Sequence, residues 1–313
     1  MRIQAEHLSY TYNAKSPFAV HALNDVSLTV EEGDFFGIIG HTGSGKSTFV
    51  QHLNGLIRLP SSLKKRYKQK VKRGQVPPPL PRLTVGEFDL ADRKTDFRAL
   101  RGKVGMVFQY PEYQLFAETV FADVAFGYKN FAEKKPAEEE VQNAVRAALE
   151  VVGLSYDELK DKSPFDLSGG QKRRVAIAGV IVSRPEVLVL DEPAAGLDPA
   201  GKQEIMELLH KLHREWCKTI VVVSHDMDEI AENCNRVAVF SEGEVKYVLP
   251  PAELFEKSDE LVALGLDVPL VAKLTFALRK KGIDLHNDCT VEGFIQSVLG
   301  YAGLTAASGE ADE

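Results

Sequence analysis

Cysteine is scarce. The 313 residues hold three, Cys217, Cys234 and Cys289, none at Cys-x-x-Cys spacing. That excludes a zinc ribbon or a disulfide framework, and reduced thiols of no special role are expected. No stretch of about 18 apolar residues appears, so nothing in the chain is expected to span a bilayer. The opening residues, MRIQAEHLSYTY, lack the charged-then-apolar layout of a secretory leader, and the chain is expected to stay in the cytosol. Positive charge is not in excess. The 38 Lys and Arg against 45 Asp and Glu give a formal net charge of -7, which argues against a general nucleic-acid binder. With 44% hydrophobic and 27% charged residues, the composition suits one large domain, or one domain with an appendage.

Apolar periodicity gives the layout. Residues 26–39, VSLTVEEGDFFGII, predict two short strands around the turn Glu32-Gly33, and a helix is expected from about Lys46 to Asn54. Strand character returns at Lys103 to Phe108, and residues 136–152 read as a helix with Val141, Val145, Ala148, Leu149 and Val152 on one face. The run Val187 to Asp191 is short, apolar and β-branched, as a central strand of a parallel sheet requires. A helix is predicted after Pro199, followed by buried strands at Thr219–Val223 and Arg236–Phe240. This alternation predicts an α/β fold with a mostly parallel sheet covered by helices. Beyond Pro250 the pattern is helical only, with an apolar stripe of Leu270, Val271, Leu274 and Leu278. Residues 1–250 are therefore expected to form one domain and 251–300 a small helical appendage, with a disordered tail at 301–313. The segment SSLKKRYKQKVKRGQVPPPLPRL, basic first and then proline-rich, is expected to be an exposed loop.

Residues 40–47 read Gly-His-Thr-Gly-Ser-Gly-Lys-Ser, a match to G-x-x-x-x-G-K-[ST] after a predicted strand and at the start of a predicted helix. Glycines let successive backbone amides turn into one concavity, and the helix N-terminus adds partial positive charge where phosphates would sit. Gly40, His41, Thr42, Gly43, Ser44, Gly45, Lys46, Ser47 and Thr48 are the candidate nucleotide-binding residues, with Lys46 reaching the β- and γ-phosphates and Ser47 offering its hydroxyl to Mg²⁺. Asp191 and Glu192 end a buried strand, at the edge of an open parallel sheet where ligands bind. If that strand follows the loop's own strand in the sheet, Asp191 stands beside Ser47 and holds Mg²⁺ through water. Glu192 is then the base that orients and deprotonates an attacking water.

At Leu167-Ser168-Gly169-Gly170-Gln171, opening a predicted helix that runs from Gln171 to Val182, the sequence resembles the ATP-binding cassette (ABC) ATPases. The resemblance implies a P-loop cassette with antiparallel N-terminal strands and a helical subdomain at about 110–183. It implies that Ser168, Gly169, Gly170 and Gln171 close over the nucleotide held by a facing subunit, so that a dimer sandwiches two ATP molecules. By the same resemblance, Gln109 contacts Mg²⁺ and the attacking water and links to membrane subunits. Asp198, in Ala-Gly-Leu-Asp-Pro, communicates between the two sites, and His225 contacts the γ-phosphate. Tyr12 stacks on adenine, with Tyr10 the competing choice.

Longer stretches, IIGHTGSGKSTFVQHLNGL, VGMVFQYPEYQLFAETVFADVAFG, LSGGQKRRVAIAGV and VLVLDEPAAGLDPAGKQEIMELL, resemble the energy-coupling factor (ECF) ATPases over roughly residues 1–282, the second of the two related subunits more than the first. This implies coupling of ATP hydrolysis to uptake of a vitamin or trace metal. The implied partners are a second ATPase subunit (a heterodimer before a homodimer), a transmembrane coupling subunit and a substrate-binding membrane subunit, at the cytoplasmic face of the cell membrane. It also implies that the appendage helps two ATPases stay together, although packing of its stripe on its own domain fits the pattern equally. The 121–126 region is expected to line the groove for the transmembrane subunit, with Glu112, Glu118 and Asp123 either available to basic residues there or, equally, plain surface acids. The rival readings are a metal-importing homodimeric ABC ATPase and an ABC ATPase outside transport. The latter commonly carries coiled coils or two cassettes on one chain, and this sequence has neither. One departure from the ECF pattern is the basic segment between about Pro60 and Leu83, where eight residues are Lys or Arg. A solvated insertion is expected there, and contact with anionic lipid is the alternative, at about 1 kcal/mol per charge.

Overall fold

The computed structural model describes residues 1–60, 63–77, 79–132, 134–285 and 289–303. Two sheets and a helical layer are stacked. The N-terminal strands β1 (Ile3–Tyr12) and β2 (Val20–Val30) pair antiparallel, from Ile3 opposite Val30 to Tyr12 opposite Val20. β2 is longer than the sequence suggested. The chain then turns through Gly33 into β3 (Phe35–Gly40), which joins the other sheet, so the two strands around Glu32-Gly33 are not a hairpin. Helix α1 (Lys46–Leu53) follows.

The basic segment departs from expectation. Its first half is a helix, α2 (Leu63–Lys72), rather than a loop. The reason is local: Lys, Arg and Gln are good helix formers, no breaker occurs before Gly74, and the prolines begin only at Pro77. Gly74, with a left-handed φ of 73°, ends the helix by donating its amide to the Val71 carbonyl at 2.9 Å. Ser61, Ser62 and Pro78 of the segment lie outside the described residues. At its far end, Arg82 already belongs to β4 (Arg82–Val85), which pairs with β1, Ile3 opposite Val85, and turns into the short β5 (Phe88–Asp89).

Helix α3 (Phe97–Lys103) is capped by Asp96, which accepts from the amides of Arg98 and Ala99, and it claims Lys103 from the expected strand, β6 (Val104–Val107). A helical block follows: α4 (Val120–Phe131), α5 (Glu138–Val151), α6 (Tyr156–Leu159) and α7 (Gly169–Ile181). The chain then alternates through β7 (Val187–Asp191), α8 (Pro199–Glu215), β8 (Thr219–Val223), α9 (Met227–Asn233) and β9 (Arg236–Ser241), and returns antiparallel in β10 (Glu244–Leu249). The large sheet runs in the order β10-β9-β3-β8-β7-β6, parallel from β9 to β6.

The period-two alternation of strands divides the core. Phe36, Ile38, Val187, Val189, Val221, Val223, Ala238 and Phe240 face the antiparallel sheet and join Ile3, Leu8 and Phe49. Their neighbours Phe35, Ile39, Leu188, Leu190, Ile220, Val222, Val237 and Val239 face the helices and pack with Val145, Leu149, Ile177 and Leu209. A sheet covered on both faces explains why its strands read as unbroken apolar runs.

After β10 only helices follow: α10 (Pro251–Phe255), α11 (Ser258–Ala263), α12 (Leu270–Arg279) and α13 (Val291–Tyr301). The expected stripe on α12 is split. Val271, Ala272 and Thr275 are buried, whereas Leu270 and Leu274 are exposed. Residues 304–313 of the expected tail lie outside the described residues. Among the described residues, no helix is long and apolar enough to cross a membrane.

Candidate functional site

Parallel strands deliver their carboxyl ends to one edge, and the candidate residues gather there. Gly40 closes β3, and residues 41–45 turn into α1. Gly45 stands at the N-cap with φ 104°, and a Cβ on it would lie 2.5 Å from the Ala22 carbonyl oxygen of β2. No side chain caps the helix, and no acid stands in its first turn, so its leading amides are free for an anion. Ser44 Oγ is buried within the turn with no hydrogen-bond partner among the described residues. His41 Nδ1 contacts the Thr42 carbonyl at 2.8 Å. Lys46 folds its Nζ over the turn and donates to the carbonyls of Gly40 at 2.6 Å and His41 at 3.0 Å. Burial pushes its ammonium down, against the pull of Glu192 and Asp191.

β7 is not the neighbour of β3, contrary to the assumption made from sequence: β8 lies between them. Asp191 nonetheless meets the Ser47 hydroxyl, because α1 leaves the shared edge and passes over β7. Burial raises the Asp191 carboxyl, and the Ser47 hydrogen bond opposes this. The adjacent Glu192 raises it further, and Lys46 lowers it.

Glu192 takes a left-handed φ of 51° and donates its amide to the Val223 carbonyl at 2.8 Å, which fixes the backbone at the strand end. Its Oε2 accepts from Gln109 Nε2 at 2.8 Å and lies 3.4 Å from His225 Nδ1. Gln109 follows β6, Glu192 follows β7 and His225 follows β8, so three adjacent strands each supply one side chain to this cluster. Tyr12, at the end of β1, brings its hydroxyl within 3.2 Å of Thr48 Oγ1 in the first turn of α1. Tyr10 packs edge-on against His52 and against Tyr12, each at 4.9 Å. Both tyrosines touch the phosphate-loop helix, Tyr12 at its first turn through Thr48 and Tyr10 further along at His52.

Ser168 and Gln171 form a capping box on α7. Ser168 Oγ accepts from the Gln171 amide at 3.3 Å, and Gln171 Oε1 accepts from the Ser168 amide at 3.1 Å. Gly169 and Gly170 are exposed, with nothing within 4 Å of a Cβ placed on either. Among the described residues, no hydrogen bond or ion pair joins this segment to residues 40–48. Asp198 caps α8, accepting from the Gly201 amide at 2.9 Å.

Three residues of this region escaped the sequence reading. Arg173, buried in α7, donates to the carbonyls of Pro193 at 3.3 Å and Ala195 at 3.0 Å and pairs with Glu112 at 3.4 Å. It ties the signature helix to the chain just after Glu192. Glu229, beneath His225, accepts from Ser224 Oγ at 3.4 Å and has a carboxyl pushed up to about 7 by burial and by Asp226. Lys202 pairs with Asp226 at 2.7 Å. The sequence carried no signal for them, since each sits among other polar residues: Arg173 beside Lys172 and Arg174, Lys202 beside Gln203 and Glu204, Glu229 beside Asp228.

Beside the site, Leu56, Phe108, Phe116 and Phe126 line a groove of about 440 Å³. Phe116 and Phe126 meet edge-to-face at 4.8 Å and remain 58% and 53% exposed. Of the acids expected to serve this groove, Asp123 is buried and accepts the amides of Phe116 and Ala117, both at 2.9 Å, and Glu112 is held by Arg173. Both carboxylates are committed inside the subunit.

Comparison with known proteins gives a consistent picture. The ABC transporter family matches residues 23–195. The "Energy-coupling factor transporter ATP-binding protein EcfA2" of Clostridioides difficile (strain 630) is 46% identical over 301 residues, 96% of this chain and 97% of that protein. Among solved structures, cbiO1 from Clostridium perfringens, described as part of the ABC transporter complex cbiONQ, superposes with a TM-score of 0.66 at 36% identity. The match covers 87% of this chain and 97% of that one. The ATP-binding cassette MJ0796, solved as a dimer in a post-hydrolysis state bound to ADP and Pi, gives 0.66 at 27% identity over 80% of this chain and 98% of its own.

Proposed function

The chain belongs to the energy-coupling factor ATP-binding proteins of the ABC transporter family, and we propose that it hydrolyses ATP with Glu192 at the shared carboxyl edge of β6, β7 and β8. It is the ATPase subunit of an ECF-type importer and works with membrane subunits. The ATPase unit is residues 1–250, and residues 251–300 are the appendage.

ATP enters with its phosphates in the turn of residues 40–47. The leading amides of α1 and Ser44 Oγ receive phosphate oxygens, and Lys46 Nζ moves from the loop carbonyls to the β- and γ-phosphates. Tyr12 covers the adenine. The Ser47 hydroxyl, the Asp191 carboxylate and the Gln109 amide oxygen are hard donors suited to Mg²⁺, which would supply charge neutralisation on the phosphate oxygens when bound. Among the described residues, no group of three or more His, Cys, Asp or Glu could hold a metal. A cation sharing its shell with phosphates and water needs only one or two carboxylates.

Glu192 is the base for water. Gln109 and His225 both address its Oε2, which fixes the carboxylate plane and leaves Oε1 for the attacking molecule. His225, 71% exposed, is placed to steady the γ-phosphate. The exposed amides of Gly169 and Gly170, with Ser168, complete the site on the nucleotide of a facing ATPase, a second and different subunit. Asp198 stands at the same face. Leu270 and Leu274 of the appendage meet that partner, and the groove of Phe116 and Phe126 takes the transmembrane coupling subunit at the cytoplasmic face of the membrane. A separate substrate-binding membrane subunit selects the solute, a vitamin or trace metal.

The observation that carries this reading is the convergence of Gln109 and His225 on one oxygen of Glu192. Glu192→Gln in the reconstituted complex should keep ATP binding and lose at least about 10² in turnover, the low end of a general base's contribution. Turnover near wild type would remove Glu192 from the role.

A further inference from the structure

Three residues past Leu56, on the rim of the groove, Leu59 is still buried in the core, and α2 begins at Leu63. α2 has no substantial packing partner among the described elements. Its helical form gives the sequence a meaning that a loop would not. In the sequence Leu63, Tyr67 and Val71 recur at i, i+4 and i+8, the spacing of one helical stripe, and Lys64, Lys65, Arg66, Lys68, Lys70 and Lys72 fall at positions between them, with Arg73 just after the helix. No acidic residue occurs from Phe35 to Gly86, so these charges have no local partner in sequence. Lys68, Lys72 and Arg73 form no ion pair among the described residues. Apolar side chains stand in solvent along the same stretch: Val71 is 51% exposed, Val76 is 99% exposed, and Leu80 is exposed as well. A protein of net charge -7 thus carries seven of its 38 basic residues within the ten positions Lys64–Arg73.

We propose that α2 and the proline-rich stretch after it are a membrane-surface anchor. α2 lies along anionic lipid head groups, with Leu63, Tyr67 and Val71 toward the acyl boundary, next to the groove that receives the transmembrane subunit. The proposal rests on the reading of that groove given above. A narrow apolar stripe framed by Lys and Arg is the pattern of a helix lying in a bilayer interface. A site for nucleic acid would need the charges but not the exposed Val71, Val76 and Leu80. Continuity with the groove places the helix on the face turned to the bilayer.

The test is co-sedimentation of the purified full chain with vesicles of pure phosphatidylcholine and with phosphatidylcholine–phosphatidylglycerol vesicles. The wild-type chain should bind only the anionic vesicles, and salt should weaken binding. Each basic residue near such a surface is worth roughly five-fold in partitioning, so Lys64→Gln/Lys68→Gln/Lys72→Gln should lose about 10². Tyr67→Ser/Val71→Ser should also weaken binding to the same vesicles. Both variants should keep the ATP turnover of the reconstituted complex in detergent, since α2 has no substantial packing partner among the described elements. Equal binding to both vesicle types, full binding by the triple variant, or α2-dependent retention of RNA without retention of vesicles would each overturn the anchor. Vesicle binding by the wild-type chain, together with no ATP hydrolysis by the reconstituted complex that contains it, would leave the anchor standing and sink the ATPase reading.

Discussion

Substituting Gly45 by alanine separates geometry from chemistry in the phosphate loop. Two penalties act together. The φ of 104° is one that L-residues resist, at about 1–3 kcal/mol. The new Cβ would also stand 2.5 Å from the Ala22 carbonyl oxygen, in β2 between His21 and Leu23, which pair with Thr11 and Tyr10 of β1. Reaching ordinary contact needs a shift of roughly 1 Å, and overpacking of that kind adds about 1–3 kcal/mol. The strand cannot yield without losing pairs, so the loop and the first turn of α1 must move. A displacement of about 1 Å in a positioned site is enough to lose about 10² in rate. Gly43→Ala is the control: it has φ 82° but nothing within 4 Å of its Cβ, so it carries only the conformational penalty. Titration with a fluorescent ATP analogue, beside urea unfolding, should show both variants destabilised. Only Gly45→Ala should lose most of its nucleotide affinity, by at least about ten-fold more than Gly43→Ala. Equal affinity for the two variants would refute the claim that β2 sets the position of the loop.

Lys46→Ala should weaken ATP binding by about 10- to 10²-fold, the worth of one charge-assisted contact. Tight binding by that variant in the same titration would refute the phosphate assignment. Glu229 supplies a pH dependence. Its folded carboxyl lies above the ordinary value, at about 7 against 4.5. The stability it lends is full below pH 4.5 and is lost as pH rises through about 7, a fall of up to about 3 kcal/mol. Glu229→Gln should flatten that part of the stability profile in urea titrations from pH 5 to pH 8. A slope unchanged by the substitution would mean that the carboxyl titrates normally.

The strands of the large sheet were legible because burial on both faces demands unbroken apolar, β-branched runs, as at Val187–Leu190 and Ile220–Val223. The phosphate loop, the acid pair and the signature were legible because each is a local run whose chemistry depends on spacing alone. What escaped depends on tertiary contact. Sheet order placed β8 between β3 and β7, which sequence order does not reveal. Asp123, expected to be open to basic residues of a partner, is a buried acceptor for two amides, and Arg173, unremarked in the sequence between Lys172 and Arg174, is a buried clasp. α2 was misread because the prolines from Pro77 onward coloured the whole segment, although the ten residues before Arg73 contain no helix breaker.

The charges at the site argue for a second subunit independently of any motif. Asp191 and Glu192 stand beside a single buried lysine, so the edge of the sheet carries more negative than positive charge before any phosphate arrives. The Asp191 carboxyl is raised chiefly by burial, and Glu192 adds to it. A nucleoside triphosphate adds several more negative charges. The uncapped N-terminus of α1 offers about half a positive charge. A divalent cation between Ser47 and Asp191 offers two more, and the shortfall that remains lies on the γ-phosphate side, where His225 is open to solvent. The start of α7 has the glycine-led character of an anion site: Gly169 and Gly170 project with nothing near them, and the side chains of Ser168 and Gln171 bond to each other's backbone amides. No described hydrogen bond or ion pair links that helix start to its own phosphate loop, so the missing positive charge is most economically supplied by the α7 N-terminus of a facing subunit.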